Sequence, residues 1–207
     1  MATTTPNYGW DVPTSSDYVK LGAVAIETLG DDIDATLFSI TSGKNVGLVH
    51  IATTSFTTSS TVNVNNVFTS SFKNYKILIN SEYGGTDPVD LRLKLRVGGA
   101  DNSSSVYSTS SFLVDPGGTA NTGESTSGNG WKFESTNKMF AASLDVFRPQ
   151  ETIVTTAQGT NAHLYNTSPR VVMTGFIHNA ATSFDGFSLL WGSAITGSVQ
   201  IFGYRNS

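Results

Sequence analysis

Three histidines, sixteen acidic residues and no cysteine are the raw material for chemistry in this 207-residue chain. His50, His163 and His178 are scattered, and no His-Glu-x-x-His arrangement places two of them on one face, so neither a zinc cage nor a general-base pair follows from their spacing. His50 and His178 fall inside strand-like runs, where a hydrogen-bonded structural role is the expectation. Asp31, Asp32 and Asp34 cluster, but in a helical stretch, and read as a solvated face; the remaining carboxylates are too dispersed to nominate a hydrolytic pair. Ser42-Gly43-Lys44 lacks the upstream glycine of a phosphate-binding loop and sits at the end of a helix, where it reads as a cap and turn. The chain is therefore expected to be non-enzymatic, with no cofactor and no metal.

Absence of cysteine removes disulfides, thiolate nucleophiles and thiolate metal sites, which fits assembly in a reducing cytoplasm. A net charge of −4 offers no broad cationic surface, so nucleic acid is not an expected partner. The first ten residues have neither a basic nor an apolar secretion signature, and no apolar run reaches the length of a membrane span, so no membrane insertion is expected.

The chemistry left is recognition. Aromatic faces stack on pyranose rings while short polar groups bond hydroxyls, and Thr- and Asn-rich stretches interleaved with aromatics suit such a surface. Trp191 ends an apolar run and reads as core. Trp131, beside a long polar stretch, and Tyr107 are the candidates for a surface binding host carbohydrate.

These residues must be held by something, and periodicity says what. One helix is expected over residues 16–43, with Thr14, Ser15 or Ser16 as cap and Asp17 at the positive end of its dipole. Val19, Ala23, Ile26, Gly30, Ile33, Leu37 and Ile40 alternate in steps of four and three, the spacing of a coiled-coil seam weakened at Gly30. The same stripe suits an amphipathic helix packed on its own domain. Its position before every strand signal, and its acidic outer face, favour self-association through Val19, Ala23, Ile26, Ile33, Leu37 and Ile40.

From Gly47 onward the period becomes two. In Val89–Val97 every odd residue is apolar and every even one charged, a strand with one buried and one wet face. Less regular runs cover residues 48–52, 61–68, 75–82, 106–114, 138–147, 152–157, 171–178, 184–191 and 198–204. Turn signals such as Gly98-Gly99, Asp185-Gly186 and Thr196-Gly197 separate them. Residues 115–130, with no apolar group larger than Ala and Pro before Trp131, read as a long exposed loop. The fold expected is mainly β: an antiparallel, jelly-roll-like β-sandwich over 47–207, preceded by an extended arm (1–15) and the helix (16–43).

The segment Pro6-Asn7-Tyr8-Gly9-Trp10-Asp11-Val12-Pro13, followed by Gly22-Ala23-Val24-Ala25-Ile26, Leu29 and Ile33-Asp34, resembles the opening of small tail, fibre and head-decoration proteins of tailed phages. The closing stretch Ile195 to Asn206 is similar to the last strand of such proteins, while the middle matches only in β-pattern. The resemblance implies a virion protein, assembled in the host cytoplasm, with its N-terminal arm docked on other virion proteins and its β-domain outward. Tyr8 and Trp10 are rigid aromatic anchors for that docking, and Pro6 and Pro13 would keep the arm extended; the competing reading has Trp10 folding back on the chain's own core. The expectation is thus a homotrimeric fibre, minor tail or decoration protein whose heads bind host-surface glycans. The alternatives are a capsid or tail cement protein without receptor role, a glycan depolymerase, and a jelly roll of the tumour-necrosis-factor type.

Overall fold

The computed structural model describes residues 3–6, 9–14, 18–41, 47–85, 89–114, 117–118, 120–133, 136 and 138–205. Two compact units divide the chain at Gly47/Leu48.

In the first unit, β1 (Thr3–Thr4) pairs antiparallel with β2 (Asp11–Val12). The ladder continues into the turn, where the Thr5 and Trp10 backbones bond at 2.9 Å, Gly9 donates to the Thr5 carbonyl at 3.0 Å, and the Trp10 amide donates to Thr5 Oγ1. The arm expected to be extended is thus folded into a hairpin. Pro6 fixes φ at the turn entry and Gly9 takes a left-handed φ of 68° that a side chain would resist. Helix α1 spans Val19–Thr41, starting later than the capping signals at residues 14–16 suggest. The Tyr18 carbonyl accepts the first turn's bonds, from the Leu21 amide at 2.8 Å and the Gly22 amide at 2.9 Å. Ser15, Ser16, Asp17 and the Ser42-Gly43 cap lie outside the described residues.

The second unit is mainly β and wholly antiparallel in its named pairings. Its strands are β3 (Leu48–Val64), β4 (Asn74–Glu82), β5 (Leu91–Val97), β6 (Ala100–Asp101), β7 (Tyr107–Val114), β8 (Ala120–Gly128), β9 (Trp131–Lys132), β10 (Met139–Phe147), β11 (Ile153–Tyr165), β12 (Ser168–Thr182) and β13 (Gly186–Tyr204). They hydrogen-bond in the order β6-β5-β13-β4-β10-β11-β12-β7-β8, with β3 on β13 and β9 on β5.

What turns this path into a sandwich is the change of partner along β13. Its first part, Gly186 to Trp191, pairs with β5, and its second, Thr196 to Tyr204, pairs with β4. β3 accompanies both halves, with register shifts between Leu190 and Gly197 that bend the long pair and send its two ends into different layers. Thr58, at a φ of 48°, marks the bend on β3, and its amide bonds Thr196 Oγ1 at 3.2 Å.

The layers meet over one apolar core. Leu91, Leu93 and Leu95 of β5 and Phe187 and Leu189 of β13 are fully buried, as are Ile77 and Ile79 of β4. Rings from the β9 side, Trp131 and Phe133, touch Phe176 of β12 at centroid distances of 5.5 and 5.1 Å, and Phe133 meets Phe140 of β10 at 5.6 Å. The alternating pattern survives best on β10, where Phe140, Ala142, Leu144 and Val146 point inward and Met139 and Ala141 outward.

Three expectations need correction. The stretch expected as a loop over 115–130 carries strand β8, an edge strand paired with β7 from Ala120 to Gly128; a ladder needs backbone partners rather than apolar side chains, and these residues offer only the former. Thr196-Gly197 is not a turn but the interior of β13. A Cβ on Gly197 would lie 2.1 Å from the Asn80 carbonyl oxygen, so glycine there serves close strand approach. On β5 the wet face fails at Arg96, which is buried and bonded to Asn63, Asn65, Asp101 and the Gly99 carbonyl.

Candidate functional site

The helix offers the first candidate surface. Val19 is 93% exposed, Ile26 62% and Leu37 54%, with Ala23 and Ile33 also exposed. The backbone of Ile40 lies on the helix; its side chain is outside the described set. Tyr18, Leu21, Val24 and Phe38 extend the exposed apolar surface around the helix. Leaving so many apolar groups in water is costly, which marks the helix as a surface that gains by being covered. Gly30 is exposed too, and a Cβ there would meet nothing within 4 Å.

Of the expected docking anchors, Trp10 is half-buried, and Pro6 and Pro13 are exposed; Tyr8 lies outside the described residues.

The expected glycan surface at Trp131 and Tyr107 is corrected outright. Both side chains are completely buried, their rings 6.1 Å apart edge to face, inside the sandwich. The Tyr107 hydroxyl accepts from the Leu95 amide at 3.0 Å and donates to the Asn102 carbonyl at 2.9 Å, tying β7 to β5, and burial pushes its pKa well above the ordinary phenol value. The sequence places these rings beside polar stretches; the strands that carry them turn the side chains inward, where no sugar can reach.

The surface that the sheet does expose is its outer face across β4, β10, β11, β12 and β7. Register aligns outward residues from distant parts of the chain into rows. One row reads Lys76, Asp145, Gln158, Gly175, Ser110; its neighbour reads Leu78, Ser143, Thr160, Met173, Phe112. A groove of about 660 Å³ lies over these rows, and two smaller ones of about 280 and 360 Å³ continue it toward Met139 and Pro169. The first two share Ser143 and Thr160, the last two share Ala141, Ala162 and Val171, so together they form one trough along the strands.

At one end of the trough, Lys76 Nζ and the Tyr204 hydroxyl both donate to Asp145 Oδ1, the lysine at 3.0 Å. Partial burial alone would lower the Lys76 pKa, but the bond and charge of Asp145 outweigh it and hold it above the usual lysine value. Tyr204 is raised as well, first by burial and then by the same carboxylate. At the other end the Arg170 guanidinium lies 4.1 Å above the Tyr165 ring. His163 is buried there, its Nδ1 3.0 Å from the Asn161 side-chain oxygen; burial, with the charge of Arg170 adding to it, lowers its pKa to about 4.

Phe112 and Met173 are exposed along the trough. Gly175, in the adjacent row, is open, with nothing within 4 Å of an added Cβ, so that row of side chains is interrupted by a recess flanked by Gln158 and Ser110. Sequence reasoning missed this site because its members come from five strands and none stands out by type. Only the alternation within each strand, already visible in residues 139–147, pointed at its faces.

Among the described residues no group of three or more His, Asp and Glu side chains could hold a metal ion, and no helix is long and apolar enough to cross a membrane. No protein-family model matches the chain. No curated protein sequence matches it either. Among solved structures, the chain is similar to the CBM40 of Ruminococcus gnavus IT-sialidase, solved bound to alpha2,3 sialyllactose, at 7% identity over 77% of this chain and 95% of that one, with a TM-score of 0.30. It is also similar to a fructofuranosidase from Schwanniomyces occidentalis complexed with fructose, at 8% identity over 77% of this chain and 34% of that one, with a TM-score of 0.23. At such scores neither likeness bears on function.

Proposed function

We propose that this chain is a non-enzymatic, homotrimeric structural protein of a phage particle, a fibre or decoration protein, in which α1 self-associates and the β-sandwich is displayed outward toward host-surface carbohydrate. The observation that carries the oligomeric part is the solvent-exposed seam of α1, where Val19, Ile26 and Ile33 recur seven residues apart with their side chains exposed. A 23-residue helix of this composition is marginal in isolation, so partners on its open face would stabilise it. The virion assignment rests on the resemblance of the two chain ends to phage tail, fibre and decoration proteins. In that reading Trp10 and the hairpin that carries it dock on the particle, a large aromatic being an effective anchor in a partner's groove.

Sedimentation of the intact chain beside a truncation beginning at Gly47 tests the seam: trimer for the first and monomer for the second is the expected result. Two monomers at micromolar concentration sink the trimer. Labelling of the β-domain on phage particles tests display, and a particle population without label would remove the virion assignment.

A further inference from the structure

We propose that the trough on the outer face of the β-sandwich is a binding site for an uncharged oligosaccharide chain lying along β10, β11 and β12. This deepens the reading above by giving the carbohydrate a place and a chemical class; it depends on that reading only for the idea that the head meets carbohydrate at all.

Size and shape come first. The trough runs from Asp145 to Met139 on β10, six residue steps of about 3.4 Å each, hence about 20 Å. Its largest section, about 660 Å³, falls within the range of built ligand sites. An elongated, open-ended trough suits a segment of a chain rather than a compact small molecule.

The lining has the two characters a sugar needs. Gln158, Ser110, Ser143 and Thr160 present an amide and three hydroxyls that both donate and accept, matching the dual character of sugar hydroxyls. Phe112 and Met173 supply exposed carbon surface for the apolar face of a ring. The recess at Gly175 lets a ring descend between Gln158 and Ser110, so that hydroxyls reach side chains while the ring rests on the carbon wall.

Charge selects among carbohydrates. In the largest section the cation is Lys76, and its ammonium already sits on Asp145, which also accepts from Tyr204. A carboxylated or sulfated sugar would find there a neutralised pair rather than a free cation, and would set its own charge beside the Asp145 carboxylate. Arg170, at the far end, keeps its charge over the Tyr165 ring, so the selection against anions is exerted in the largest section, where the neutral chain is held.

An extended peptide is a poorer occupant. The strands under the trough have their backbone groups paired on both sides, β10 with β4 and β11, and β12 with β11 and β7, so a peptide laid on them would find no ladder for its own amides. A second copy of this chain pressed against Phe112, Met173 and Val171 is the remaining competitor, and the test separates it.

Isothermal titration of the full chain uses cellohexaose, maltohexaose, mannohexaose and chitohexaose as neutral probes, with 3′-sialyllactose and hexagalacturonate as charged ones. At least one neutral probe is expected to saturate the chain with the charged probes weaker. Gly175→Val fills the recess and is expected to weaken binding by at least about tenfold, or about 1.4 kcal/mol. Its melting temperature and sedimentation should stay at the parent values, since its added carbon meets open space. Phe112→Ala is the second variant, expected to weaken binding in the same direction.

Three results would overturn the proposal: no neutral probe binding at millimolar concentration, charged probes binding more tightly, or parent affinity in both variants. A sedimentation change in Phe112→Ala with sugar affinity intact would also overturn it and assign the face to a contact between copies. Carbohydrate recognition survives, and only this location fails, if the parent and both variants bind one probe equally. The site survives, and only the trimer fails, if the titration succeeds on a chain that sediments as a monomer.

Discussion

Replacing Ile26 by Ala on α1 separates a seam that joins chains from an apolar stripe that merely tolerates water. Complete burial of an isoleucine side chain contributes about 1.5–3 kcal/mol. With 62% of Ile26 still exposed in the single chain, roughly two-thirds of that remains to be gained on association, about 1–2 kcal/mol per chain. A trimer collects it three times, so Ile26→Ala should cost about 3–6 kcal/mol of assembly and raise the trimer dissociation constant by about 10²–10⁴. The single chain should not suffer, because Ile26 contributes little to it and Ala is the better helix former. Sedimentation equilibrium across a dilution series, with circular dichroism on the most dilute sample, reads both quantities. An unchanged monomer–trimer midpoint refutes the seam as drawn. So does a loss of helix in the dilute variant beyond that of the parent diluted to monomer, which would mean that Ile26 packs within its own chain.

Tyr107→Phe removes the hydroxyl that satisfies the Leu95 amide inside the sandwich and should lower stability by about 1–3 kcal/mol, the cost of leaving a buried amide unpaired; a urea midpoint at the parent value would contradict this. The pH dependence should carry the signature of His163, whose folded pKa of about 4 lies below its ordinary value of 6.5. Protons then bind the unfolded chain first, so stability is complete above about pH 6.5 and falls as pH drops toward about 4. Urea titrations at stepped pH should show this loss, and His163→Leu should reduce it; an identical slope in the variant would assign the acid sensitivity elsewhere. His178, also buried and shifted downward, acts in the same direction and leaves a residual slope.

Local periodicity made much of the fold legible. The alternation in Val89–Val97 and across residues 138–147 marks strands because side chains on a pleated ribbon change face at every residue. The spacing from Val19 to Leu37 marks a helix with one apolar stripe. Polar strands were not legible. The Thr- and Ser-rich middle of β3 and the whole of β8 lack apolar alternation, and their strand character comes from pairing with β13 and β7. Pairing of that kind is decided by neighbours far away in sequence.

The same limit explains the site. The sequence by itself determined the element types, the presence of aromatic and hydroxyl-bearing side chains, and the apolar stripe that leaves α1 wanting cover. Only the tertiary structure decided which face of each strand turns to the core, because a face is inside or outside only relative to another layer. That decision buried Trp131 and Tyr107, drew Arg96 off the wet face of β5, and left Gly175, Gln158, Ser110 and Phe112 together in open solvent. The rows that join them are a matter of register between strands β7, β10, β11 and β12, and register is set by the bend of β3 and β13 and by the packing of rings between the layers, which no single segment encodes.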